Sequence, residues 1–455
     1  MYNTTSNRME QDRDMNKRFT DLKISGISAN KFGEITGEEF NVPDIELGMP
    51  IRSAYSGKKL QMNIDRAMKD RLPRNDFDLY NPTNFSMIPG AGAASVEKII
   101  PELYGTDPGS FLSVHINKFT VNFFTSLKNQ LENRFCIAPY CIYNIFSILY
   151  LASTGSTEAE IYDFFSMISK DNVLEGLHHI KQYIPSQMKN LISINKELPI
   201  NKNFLKHISG IADIYPVGVS SSKDVEATSH NINQYINKFS DGIIQPISTK
   251  VIERAQILGI SLGLFKPTWK LPFSKIIDSQ FEGNILQKVR MLVNVDCQME
   301  YYEDNVNQLL ELKCADGIMS MGIILPKEHV IPEINYEEYT TLVKNLKLVN
   351  IEEVRIPAFT QQIKIKLTHV LEDMGLKSVF HKLQIPDLVK AQTYISDIVQ
   401  NITVIIANNV EINNKKSAKR VRPAISNIRF IADHPFIYYF RLIPTNTIIL
   451  MGCYV

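Results

Sequence analysis

The sequence predicts a mixed α+β domain behind a polar extension. Three observations predict it. Apolar residues recur at helical spacing from Ile116 to about Ala152. Strand-like apolar runs dominate after Val289. Residues 1–112 carry neither pattern. A chain of 455 residues with 44% hydrophobic content can bury a sizeable core, and it is too long for one average domain and short for three.

In the extension, breakers cluster in GMP (48–50), RLPRND (71–76), NPTN (81–84), IPGAGA (88–93) and GTDPGS (105–110). Residues 1–112 therefore read as partly disordered, with short pieces able to dock on the main domain or on other proteins. GAGAAS (90–95) lacks the Lys-Ser/Thr and the preceding strand of a phosphate loop and reads as a flexible hinge. The opening residues hold no apolar h-region, which points to an intracellular protein. No run of about 18 apolar residues occurs, so no membrane span is expected.

The main domain is read as 113–455. Ile116, Phe119, Phe123, Leu127 and Leu131 lie on one helical face, with Asn133 as the stop. A second helix follows Pro139, with Ile142, Ile145, Phe146, Leu149 and Ala152 on one side and Gly155 ending it. Thr157 and Glu160 have the spacing of a capping box for a third. Strands are expected at 289–302, 321–326, 401–408, 436–442 and 446–454. The last two are separated by Ile443, Pro444 and Thr445, which suggests a hairpin, and their continuous apolarity says both faces are covered.

Chemistry-bearing patterns are sparse. Cys136, Cys141, Cys297, Cys314 and Cys453 are scattered and odd in number, and read as buried free thiols. His178 and His179 are adjacent, so their rings cannot share a helix face and a metal role is disfavoured. Asp433 and His434 are adjacent too, which favours backbone placement at the start of a strand over a catalytic dyad. The motifs GxSxG, HExxH and GxxxxGK[ST] are absent. No catalytic residue, cofactor or metal is expected, and the chain does not read as an enzyme. Sequons stand at Asn3, Asn84 and Asn401. The net charge of +1 gives no global attraction for polyanions, so any such binding must come from a local cluster. The densest one is NNVEINNKKSAKRVRPAIS (408–426), with Lys415, Lys416, Lys419, Arg420 and Arg422.

The segment FIADHPFIYYFRLIPTNTIILMGCYV (430–455) closely resembles the C-terminal signature of the serpin family. Other segments agree in order: NRFCIAPYCIYNIFSILYLASTGSTEAEI (133–161), INQYINKFSDGIIQPI (232–247), LFKPTWKLPF (264–273), IILPKE (323–328), VRIPAFTQQIKIKLTHVLEDMGLKSVF (354–380) and IPDLVKAQTYISDIV (385–399). The resemblance covers about 113 to 455 and leaves the extension without a counterpart. It implies a serpin fold with three β-sheets, about eight or nine helices and an exposed reactive-centre loop at about 407–429. Trp269 is similar to the family's tryptophan at the top of the central sheet, with Pro267 in place of a glycine. The AT-biased composition is similar to that of serpin-like proteins of large DNA viruses.

Serpins offer a loop to a protease and, after cleavage, insert its first part as an extra strand in the central sheet. Alternate residues of a strand face opposite sides, so every second hinge residue must enter the core. Counting back from Pro435 puts Val410 at the family's hinge glycine. Glu411, Ile412, Asn413, Asn414, Lys415 and Lys416 follow where the family uses Thr or Ser and then Ala. Glu411, Asn413, Lys415 and Ser417 would point inward, and burying an unpaired charge costs on the order of several kcal/mol. A one-residue slip would bury Lys416 instead. In the family's shutter cluster the chain has Ala138-Pro139-Tyr140-Cys141, Ser261 and Gln400, of which Gln400 and Ser261 could still pair. The nominal scissile bond is Ala424-Ile425. Arg420 and Arg422 are alternative cleavage positions, with Pro423 disfavouring the second.

Three functions compete. The hinge and shutter favour a non-inhibitory serpin fold used for binding or as a structural component. The alternative is an inhibitor presenting a basic loop to a trypsin-like or paired-basic serine protease. A polyanion or nuclear-import role for KKSAKRVR ranks third, since a charge run is usually a solvated face.

Overall fold

Helix α1 (Pro108–Lys128) begins where the sequence reads as a break. Asp107 is its N-cap, accepting from Ser110 N at 2.9 Å and Ser110 Oγ at 2.6 Å, and Pro108 takes the first-turn position that needs no donor. Proline and aspartate there start a helix. The computed structural model describes residues 106–131, 134–408 and 426–455. The sequence readings at 1–105 and 409–425 lie outside the described residues.

Strand β1 (Phe135–Ile137) leads into α2 (Pro139–Ala152). The expected single apolar face is exceeded, because every residue of α2 except Leu151 is buried. Polar side chains on such a helix need internal partners, and Asn144 Oδ1 accepts from Asn190 Nδ2 at 2.9 Å. Helix α3 (Gly155–Phe165) has no capping box. Thr157 Oγ1 accepts from Gln384 N, and Glu160 accepts from the backbone N–H groups of Lys377, Ser378 and Val379. The pair caps distant chain, where four orphan donors outbid the helix's own end. Helix α4 (Lys170–Ile180) crosses α1 so closely that a Cβ on Gly176 would lie 2.7 Å from Leu112 Cβ. His179 Nδ1 reaches Asp107 at 2.8 Å across that crossing.

The remaining elements are β2 (Met188–Asn195), α5 (Lys202–His207), β3 (Asp213–Val217), α6 (Ser222–Ser240), α7 (Thr249–Ile252), β4 (Ile257–Phe265), β5 (Lys275–Glu282), β6 (Leu286–Glu303), β7 (Asn307–Lys313), β8 (Met319–Pro326), α8 (Tyr336–Lys344), β9 (Lys347–Pro357), β10 (Phe359–Lys366), α9 (Thr368–Asp373), β11 (Ile395–Ile406), β12 (Arg429–Ile431), β13 (Phe436–Leu442) and β14 (Thr447–Tyr454). They make nine helices among the described residues. Five strands form one sheet in the order β10-β11-β4-β2-β3. The others form a nine-stranded sheet, β1-β14-β13-β8-β7-β6-β9-β12, with β5 also on β6. Two of the three expected sheets are thus joined through β6, whose 18 residues serve both.

β13 and β14 form the expected antiparallel hairpin, with six of seven residues buried on β13 and all eight on β14. Asn446 turns it at φ 52°, the left-handed region that asparagine tolerates, and its Oδ1 accepts from Arg441 at 2.7 Å. Arg441 also makes a buried fork on Glu311, from Nη2 to Oε1 at 2.7 Å and from Nε to Oε2 at 3.1 Å. All five cysteines are buried and none is in a disulfide, as expected.

Candidate functional site

The loop that the sequence singles out leaves the five-stranded sheet at the end of β11 and returns through β12. Its hinge (Val410 to Lys416), the nominal scissile pair Ala424 and Ile425, and the alternatives Arg420 and Arg422 lie outside the described residues. The two stems and the sheet beneath are described.

Three side chains line up across the sheet. Gln400 of β11 pairs in register with Ser261 of β4, and Ser261 with Asn190 of β2. All three are buried. The first turn of α2 lies under this row. Gln400 does not use its amide on Ser261, the partner the sequence left open. Its Oε1 accepts from Ala138 N at 3.1 Å, and its Nε2 donates to Ala138 O at 2.7 Å. The side-chain amide therefore mimics a backbone strand pairing and ties β11 to the residue before α2. Pro139 follows at the first position of α2, where its missing N–H costs nothing. Ser261 Oγ lies against the Cys141 thiol. Burial pushes that thiol up to about 12, against the opposing effect of Ser261 and Asn190, so it stays protonated and unreactive. Asn190 Nδ2 donates to Cys141 O at 3.2 Å as well as to Asn144.

The sheet is closed between β11 and β4. The two run parallel, paired from Ile395↔Ile257 to Val404↔Phe265. Trp269 stands past the far end of this seam, apart from the Gln400 row. Its Nε1 donates to Ala407 O at 3.1 Å, and its ring meets Phe273 edge-on at 6.0 Å. Asn408 Nδ2 donates to Phe273 O at 2.8 Å. These bonds pin the first stem.

The second stem is held differently. Ser426 Oγ donates to Asn350 O at 2.6 Å, and β12 pairs parallel with β9 over three residues. Glu353 collects Arg429 at 2.7 Å and Arg355 at 2.9 Å. Burial alone would raise the Glu353 carboxyl, but the bonds from Arg429 and Arg355 outweigh it and hold it below 4.5. Just beyond, His434 Nδ1 meets Asp433 Oδ1 at 2.9 Å and Nε2 meets Pro326 O at 2.7 Å. A carboxylate and a carbonyl both accept, so the two bonds favour the imidazolium, in which both ring nitrogens donate, and raise His434 against the opposing effect of burial. His329 stacks on it at 4.3 Å and pairs with Glu282 at 3.0 Å. Asp433 and His434 thus join the starts and ends of strands.

The Gln400–Ala138 clasp, Asn190 and the Glu353 cluster were not found from sequence. Their partners are the backbone or residues far along the chain, so no local spacing marks them. Asn401, one of the sequons, is buried in β11 with Nδ2 on Gln245 O at 2.6 Å. Among the described residues no group of three or more His, Cys, Asp or Glu is placed to hold a metal ion, and no helix is long and apolar enough to cross a membrane.

The family model for serpin (serine protease inhibitor) matches residues 114–455, and the chain belongs to this family. It is 25% identical over 362 residues to an uncharacterized serpin-like protein of Acanthamoeba polyphaga mimivirus, covering 74% of this chain and 88% of the relative. It is 23% identical to ovalbumin-related protein Y of Gallus gallus, covering 75% and 98%. Among solved structures, the fold is similar to that of maspin, with a TM-score of 0.67 at 18% identity, covering 76% of this chain and 99% of that one. It is also similar to protease nexin-1 crystallised with heparin, with a TM-score of 0.64 at 18% identity, covering 78% and 99%.

Proposed function

We propose that this serpin displays its loop as a cleavable or binding segment and does not draw it into the central sheet. The loop continues from β11, so an inserted strand would lie beside β11. β10 occupies one side of β11, and insertion on the other side must part β11 from β4. In this reading Pro139, Cys141, Ser261 and Gln400 are the shutter beneath that seam, and Trp269 is the pin at its top.

The observation that carries the reading is the Gln400 clasp on Ala138. If β11 moves away from α2, Ala138 N loses its partner, at about 1–3 kcal/mol, and Ala138 O is left with its bond from Cys141 N alone. The incoming strand offers little in return. By strand alternation it would carry Glu411, Asn413 and Lys415 inward, at several kcal/mol on the order of each unpaired charge. A second reading, inhibition of a trypsin-like or paired-basic protease, is favoured by the parallel seam itself. An antiparallel strand entering there would replace one parallel ladder by two antiparallel ones, which are slightly more stable per residue.

The test uses the full chain with trypsin and with a paired-basic protease. Cleavage within 415–422, no SDS-stable complex and an unchanged Tm of the cleaved product are expected. A covalent complex or a large rise in Tm would replace the display reading with the inhibitor reading.

A further inference from the structure

One peptide group between β4 and β5 is gripped from two directions. Phe273 O accepts from Asn408 Nδ2 of the first stem at 2.8 Å. Ser274 N, the other end of the same group, donates to Val293 O and Asn294 Oδ1 of β6, both at 3.0 Å. Ser274 Oγ adds a bond to Val293 O at 2.9 Å. The group is planar and trans, so its C=O and N–H point in opposite directions and cannot shift separately. Movement of Asn408 therefore pulls on Ser274, the residue before β5.

β5 is suited to pass that movement on. It pairs with β6 over eight residues and with no other strand among the described residues. At its far end Glu282 N donates to Asp433 O at 2.7 Å, two residues past β12. The Glu282 carboxylate also pairs with His329 at 3.0 Å. β5 thus runs from the first stem to the residues that follow the second, a span of roughly 27 Å at about 3.4 Å per residue.

We propose that β5 is a tie between the two stems. Displacement of either stem loosens β5 and, through it, the other stem, whether or not the loop between them is whole. The coupling is a free energy, so it acts equally in both directions. It is independent of whether the loop is displayed or inserted.

Hydrogen exchange on the full chain reads both ends of the tie. Asn408→Ala cuts it at the first stem and leaves every strand pairing in place. Exchange over 275–282 should rise about two- to tenfold, the range that one neutral hydrogen bond supplies. Exchange over β10, the direct neighbour of β11, should not change. The reverse direction is read at Trp269, the single tryptophan of the chain, whose indole N–H donates to Ala407 O. Glu282→Pro removes the N–H held by Asp433 O, whereas Glu282→Ala removes only the side chain. By NMR, the Trp269 indole N–H should exchange at least about twofold faster in Glu282→Pro than in Glu282→Ala. Unchanged exchange over 275–282 in Asn408→Ala, an equal rise over β10, or equal Trp269 exchange in the two Glu282 variants would each overturn the proposal. If Glu282→Pro does not fold, Asn408→Ala decides the matter alone.

Discussion

The two stems of the loop are fastened by different physics. The first belongs to β11, which sits inside a sheet with β10 on one side and β4 on the other, and its extra fastening is a neutral amide on buried backbone. The second is β12, three residues at a sheet edge, fastened by Glu353 between two arginines. Buried neutral bonds are indifferent to salt and to pH, and can be lost only when the sheet itself moves. Ionic bonds at an edge are screened and titrate. The loop is therefore anchored firmly where insertion would begin and conditionally where it would be released.

The comparison can be broken most directly at Gln400. Gln400→Leu keeps the volume, orphans Ala138 N and leaves Ala138 O with its bond from Cys141 N alone. We expect a loss of about 1–3 kcal/mol in urea unfolding, with no dependence on salt. A loss below about 0.5 kcal/mol would show that the clasp does not hold the first stem.

The matching change at the second stem is Glu353→Gln. It should cost about 1–2 kcal/mol, read as faster hydrogen exchange at Ile428 to Ile431, and raising salt towards about 1 M should shrink the difference between variant and wild type. Glu353 is held below 4.5, so its contribution is present above that value and fades as the pH falls through the lower, folded value. A salt-independent loss would erase the contrast between the stems.

Trp269→Phe removes one bond, Nε1 to Ala407 O, and keeps an aromatic ring against Phe273. About 1 kcal/mol or less is expected, read from the urea midpoint. A loss as large as that of Gln400→Leu would move the main fastening of the first stem from the shutter row to the sheet top.

The smallest expected effect is a pH drift at His434. Burial lowers this histidine, but the bonds to Asp433 and Pro326 outweigh it and hold it above 6.5. Its bond to His434 holds Asp433 below 3.8. The pair is fully stabilising between those values. Its contribution is lost above 6.5 as His434 gives up its proton, and below 3.8 as Asp433 gains one. The difference in urea midpoint between wild type and His434→Asn should shrink from about pH 5.5 to about pH 8.5. A constant difference would show that His434 holds the second stem by shape alone.

Much of the fold was legible because its signals are local or periodic. The α1 face, the β13–β14 hairpin and the residue order of the C-terminal signature each sit within a short stretch. What was not legible depends on who meets whom across the chain. Thr157 and Glu160 have capping-box spacing, yet their donors come from residues 377–384. Gln400 and Ser261 are opposite one another in register, yet the amide pairs with the backbone of Ala138, which takes both its donor and its acceptor. Asn190 enters the site only through the register of β2 on β4, and no motif encodes that register.

The hydrogen bond from Asn117 Nδ2 to Asn446 O joins residues 329 positions apart, and Asn117 Oδ1 accepts in turn from Ile448 N. α1 and β1 are synthesised early but complete their packing only against β14. Every intermediate chain length therefore exposes a helix whose asparagine lacks these two backbone bonds. Such high contact order slows folding and prolongs the exposure of apolar strands to other chains. The time this protein spends incomplete, as well as the stability it reaches, is set by when β14 arrives.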